Sequence, residues 1–211
     1  MMNANVPESL DPTARRSSDA PRQNGLAPSE PRAQPRVNIG ISDESLLGVS
    51  LLLNRALANT SLLTIKTRKF HWDAVGPQFH SLHKLWDEQY AMLAEFADRT
   101  AERIRARGGY PIGTAAGFLK YATVREHPGV VLSAPESVAV LLEDHELIAR
   151  TLRVEVDACD GFNDVTTADF LTGMLEAHER MAWMLRAFLE GTVAPTERVP
   201  TATATIPAFA E

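Results

Sequence analysis

The chain has 211 residues, 45% of them apolar and 23% charged, with a formal net charge of −6. That balance suits one domain of ordinary size carrying tails, and the acidic total argues against wholesale nucleic-acid binding by the body of the protein. The uninterrupted apolar runs are too short for a bilayer span, no basic patch precedes an apolar run at the N-terminus, and Cys159 stands alone. An integral membrane protein, a secreted protein and a disulfide framework are therefore not expected; a reducing cytoplasm is.

Residues 1–41 contain six prolines (7, 12, 21, 28, 31 and 35) and few large apolar residues, which predicts a disordered arm. Residues 192–211, rich in Thr, Ala and Pro, predict a flexible tail. Between them, over 42–191, proline is confined to the gaps between stretches of helix formers.

A first helix is expected after Ser42 or Asp43, either of which can accept from first-turn amides. Its apolar residues, Leu46, Leu47, Leu53, Leu57, Leu63 and Phe70, recur at helical spacing up to about Trp72, before the Gly76-Pro77 break. A second helix opens at Pro77, carries Leu82, Leu85, Trp86, Leu93, Phe96 and Ile104, and ends before Gly108-Gly109. A third has a capping-box pattern, Ser133-x-x-Glu136, and stops near Gly161. A fourth starts at Thr166 or Thr167, with Asp169 in its first turn, and ends at Gly191.

The connections set the topology. Short links make the first and second helices, and the third and fourth, antiparallel neighbours. The link over 108–133 can travel the length of a bundle, and Ala115 to Val124 can form a short extra helix within it. Two hairpins joined by one long crossover give an all-α fold with the connectivity of a ferritin-like four-helix bundle.

The second helix carries the chemistry. His83, Asp87, Asp98 and Glu102 fall at about 0°, 40°, 60° and 100° around its axis, on a face expected to be otherwise apolar. His83 and Glu102 lie about 28 Å apart along that axis, so one chain cannot bring both to one metal. Yet the pairs 83/102 and 87/98 share one midpoint, between Met92 and Leu93. A two-fold axis there sets His83 and Asp87 of one copy against Glu102 and Asp98 of another, giving two identical clusters in an isologous dimer. His71, across the first hairpin, can join His83. Two imidazoles and three carboxylates make an N/O set for iron, zinc or manganese, and open positions suit Fe(II) turnover better than a closed structural zinc site. The competing view is a solvated face, on which such i,i+4 pairs are common.

The stretch from Lys69 to Tyr90 (KFHWDAVGPQFHSLHKLWDEQY), followed by Asp98-x-x-x-Glu102-Arg103-Ile104 and Gly108-Gly109-Tyr110-Pro111, strongly resembles the signature of the Dps mini-ferritins. The resemblance implies ferroxidase ligands His71, His83 and Asp87 from one subunit and Asp98 and Glu102 from its two-fold partner. It further implies a dodecameric shell that stores ferric mineral, protects against oxidative stress, and uses hydrogen peroxide in preference to dioxygen. Trp72, beside His71, has two open roles: electron donor by family analogy, or aromatic anchor in the dimer contact.

Asp160, Asp164 and Asp169 are spaced like the family's acidic pore region, although turn and cap duties also explain Asp164 and Asp169. The N-terminal arm holds five arginines against four carboxylates, a balance of +1. Weak, salt-sensitive DNA binding is expected of it at best, with nucleoid association following only from that. His80, His127, His145 and His178 are read as surface or satisfied helix residues. No Glu-x-x-His occurs on the third or fourth helix, which argues against a di-iron centre inside one subunit. Trp86, Trp183, Met174, Met181 and Met184 are read as core or contact residues.

Overall fold

In a computed structural model of the chain, which describes residues 37–129 and 131–190, Ser42 caps the first helix by accepting from the Ser45 backbone N–H at 3.1 Å. Five helices follow: α1 (Asp43–Asp73), α2 (Phe79–Ala106), α3 (Ala115–Tyr121), α4 (Ala134–Gly161) and α5 (Val165–Glu190). No strand occurs among the described residues, so the fold is all-α. Almost all of the expected N-terminal arm, and the whole C-terminal tail, lie outside the described residues.

The helix boundaries follow local chemistry. At the start of α4 the Ser133 backbone N–H donates to Glu136 Oε2 at 2.8 Å, and the Ser133 hydroxyl donates to the same oxygen at 2.6 Å. These bonds to the ionised form hold the Glu136 carboxyl below its ordinary range. Helix α2 begins at Phe79 rather than Pro77, because Gly76 adopts φ +89° and accepts from the Phe79 N–H at 3.0 Å, so Pro77 and Gln78 form a turn. Helix α5 begins at Val165, one or two residues earlier than expected, because Asp164 precedes it and accepts from the Thr167 N–H at 3.2 Å.

Packing then fixes the directions. Helix α1 runs along α2, α4 along α5, and α3 lies on α1. Lys66 pairs with Asp144 at 2.5 Å and Arg55 with Glu155 at 2.7 Å; ascending positions on α1 meet descending ones on α4, so the two are antiparallel. Burial pushes the Asp144 and Glu155 carboxyls up, against the pull of their cationic partners. Helices α2 and α4 consequently run in the same direction, and the crossover returns the length of the bundle. Asn59, buried in α1, holds that crossover: its Oδ1 accepts from the Thr123 N–H at 2.7 Å and the Val124 N–H at 3.1 Å.

Leu53, Leu57, Leu63 and Phe70 of α1 and Leu82, Trp86, Leu93 and Ile104 of α2 are buried as their periodicity predicts, whereas Leu47 is 71% exposed. Helix α1 is long and apolar enough, by length and composition, to cross a membrane, a property that counting uninterrupted apolar runs understated. Inside the bundle 56% of an 18-residue apolar segment of α1 is buried, so its apolarity serves the core.

Candidate metal centre

The hairpin between α1 and α2 sets two imidazoles face to face. His71 ends α1 and His83 lies in the second turn of α2; their rings stack at 3.7 Å between centroids with an interplanar angle of 19°. The Nδ1–H of His71 donates to the His83 carbonyl oxygen at 2.7 Å, and the Nδ1–H of His83 donates to the His71 carbonyl oxygen at 3.0 Å. A carbonyl only accepts, so Nδ1 of each ring carries a proton, and the tautomer this selects has its lone pair on Nε2. Backbone carbonyls orient metal-ligating histidines in this way.

One turn along α2, Asp87 accepts from the Tyr90 hydroxyl. Hydrogen bonding to the neutral phenol raises the pKa of Tyr90. The Tyr90 ring makes a T-shaped contact with His71 at 5.3 Å, and the Arg68 guanidinium lies 4.9 Å from the centre of the same ring. Phe79 packs against His83 at 4.9 Å.

Asp87, Asp98 and Glu102 are exposed on α2. Taking His83 as the origin, the buried residues Leu82, Trp86, Gln89, Leu93, Thr100 and Ile104 fall between about −60° and −120°, while the four ligand candidates span about 0° to 100°. The ligand face is thus separate from the core-facing stripe, a correction to the expectation of a shared apolar face. Within one chain the fold brings His71 to His83, with Asp87 one turn on, and leaves Asp98 and Glu102 far along the helix. Among the described residues of a single chain, no three His, Cys, Asp or Glu side chains form a metal-holding group.

The long crossover and the hairpin pairs are the pattern of a ferritin-like bundle, and a ferritin-like domain family matches residues 51–193. A DNA protection during starvation protein of Brevibacillus brevis is 39% identical over 142 residues, covering 67% of this chain and 95% of that protein. The solved Dps protein from Vibrio cholerae O1, described as a member of a broad superfamily of ferritin-like diiron-carboxylate proteins, matches with a TM-score of 0.69 at 27% identity, over 74% of this chain and 98% of that one. The chain belongs to the Dps family of mini-ferritins. An uncharacterized low temperature-induced protein of Nostoc sp. is 57% identical to this Dps-family chain over 158 residues, covering 74% of this chain and 88% of that protein.

The expected pore triad of the Dps chain needs one correction. Asp160 and Asp169 are exposed, but the Asp164 side chain is 0% exposed and held by two arginines. Arg107, also 0% exposed, pairs with Oδ2, and Arg103 contacts Oδ1 at 3.2 Å. A carboxylate enclosed in this way does not face a channel; it joins the end of α2 to the start of α5. Trp72 is 71% exposed beside His71, and Trp183 is exposed on α5.

Two groups escaped the sequence reading. Tyr90 lies against Asp87 and His71 and Arg68 against Tyr90; the i,i+3 spacing of Asp87 and Tyr90 is a signal that could have found the tyrosine, and nothing local marks Arg68. His145 and His178 are neither surface nor satisfied residues: both are buried, hydrogen-bonded to each other, with both Nε2 atoms unpartnered among the described residues.

Proposed function

We propose that two copies of this chain pair antiparallel along α2 and oxidise Fe(II), their substrate, between His71, His83 and Asp87 of one copy and Asp98 and Glu102 of the other. The observation that carries this reading is the reciprocal bonding of His71 and His83, which holds both Nδ1 atoms on backbone carbonyls and leaves Nε2 of each ring for a metal. His83 shares α2 with three exposed carboxylates, Asp87, Asp98 and Glu102, and no single chain completes the ligand set. Membership of a family whose Vibrio cholerae member is described as a relative of diiron-carboxylate proteins supports iron as the metal. Zinc and manganese fit the same N/O donors as substitutes.

The favoured oxidant is hydrogen peroxide, with dioxygen as the slower alternative. Two Fe(II) ions each lose one electron, peroxide takes both electrons and two protons, and two water molecules leave, so no hydroxyl radical is released. The protein holds the two irons side by side and supplies carboxylates that balance the added charge of Fe(III). The resulting ferric ions would be stored as mineral in a dodecameric shell, protecting a cytoplasm from oxidative stress. Asp160 and Asp169 remain as exposed carboxylates that a three-fold contact would gather for iron entry.

Stopped-flow oxidation of Fe(II) by peroxide tests the reading. Asp98→Ala should abolish the rapid phase while light scattering shows an intact assembly; unchanged kinetics remove Asp98 from the site. A structural metal site would bind without turnover. The name of the Brevibacillus brevis relative favours DNA protection as a second reading. Salt-dependent gel shifts with and without residues 1–40 separate it: strong binding lost on truncation would support it.

A further inference from the structure

Resting on the two-fold ferroxidase reading, we infer that Tyr90 is a positioning residue of the metal centre: its hydroxyl holds Oδ1 of Asp87, so that Asp87 meets the metal through Oδ2. Three contacts converge on this side chain. The hydroxyl donates to Asp87 Oδ1, the ring makes a T-shaped contact with His71 at 5.3 Å, and the Arg68 guanidinium sits 4.9 Å from the ring centroid. Tyr90 therefore touches one ligand candidate from each helix of the hairpin and is itself held by α1 through Arg68.

Asp87 is exposed, and its short side chain has a broad, roughly two-fold terminal torsion. Without a partner both oxygens sample several orientations, and a chelating pose competes with a single-oxygen one. A donor fixed on Oδ1 removes that freedom and leaves the other oxygen, with its lone pairs, for a metal. Outer partners of this kind are worth about 10–100-fold in metal affinity or activity.

Tyr90→Phe keeps the ring, and with it the His71 and Arg68 contacts, and removes only the hydroxyl. Anaerobic titration with Co(II) as the probe should show about 10–100-fold weaker binding and shifted visible bands, with assembly unchanged. The same substitution in an Asp87→Ala background should have no further effect, because Tyr90 acts through Asp87. Equal affinity and identical bands in Tyr90→Phe, or effects of the two substitutions that add, overturn the proposal. If Tyr90→Phe does not assemble, ultraviolet resonance Raman of the unsubstituted protein decides, since metal binding must then perturb a tyrosine hydrogen bond; an unperturbed spectrum overturns the proposal. Failure of the underlying reading looks different: the unsubstituted protein then neither binds Co(II) at the two-fold contact nor oxidises Fe(II).

Discussion

His145 of α4 and His178 of α5 meet inside the bundle with Nδ1 atoms 2.9 Å apart, one ring donating and the other accepting. Burial depresses both pKa values, to about 4 for His178 and well below 6.5 for His145, where the charge of its neighbour adds to the effect. The unfolded chain protonates these rings near pH 6.5, so between about pH 6.5 and 4 it binds protons that the folded chain refuses. Stability contributed by the neutral pair is thus lost as the pH falls, by up to about 1.4 kcal/mol per pH unit for each ring. Denaturant melts at pH 7 and pH 5 should show this slope, and the double variant His145→Leu/His178→Leu should flatten it. An equally steep slope in that variant would assign the effect to other groups.

Asp164 tests the distinction between a buried tie and a channel lining. Asp164→Ala strands the buried Arg107 guanidinium and should cost roughly 3–5 kcal/mol. In a chain of this size that lowers Tm by on the order of 10 °C. A channel role predicts the opposite pattern, with iron uptake slowed and the melting temperature unchanged.

Mixed assemblies test the sharing of ligands between copies. A His71→Ala/His83→Ala chain and an Asp98→Ala/Glu102→Ala chain should each lack rapid Fe(II) oxidation alone. Refolded together, each mixed dimer regains one complete set of five ligands and about half the normal rate per pair. No recovery on mixing would sink the two-fold arrangement.

Asn59 is the anchor of the crossover. Asn59→Leu removes the acceptor for the Thr123 and Val124 amides and should cost about 1–3 kcal/mol. Hydrogen exchange at those two amides should speed up well before the α4–α5 hairpin opens; protection that persists would place the anchor elsewhere.

The sequence made the helices legible wherever a local device sets the boundary. Ser42 and the Ser133/Glu136 box are read correctly because capping depends on residues within one turn. Pro77 misled by two residues because Gly76 folds the chain back before a helix can start. Asp164 was unreadable for a different reason: an aspartate in a turn looks the same whether water or Arg107 surrounds it, and only the packing of α2 against α5 encloses it. His145 and His178 are 33 positions apart, and nothing in either neighbourhood announces the other. The site candidates stood out because their spacing on one helix is a local property, whereas the Nδ1 bonds that orient the imidazoles depend on the turn of the hairpin.

The unbroken run of α2 between Asp87 and Asp98 acts as a ruler. Inserting one residue there would swing everything beyond it by about 100° and advance it by about 1.5 Å. In the proposed two-fold dimer the same helix is used twice, so that single insertion would misalign both ends of the contact at once. This segment therefore tolerates changes of side chain far better than changes of length.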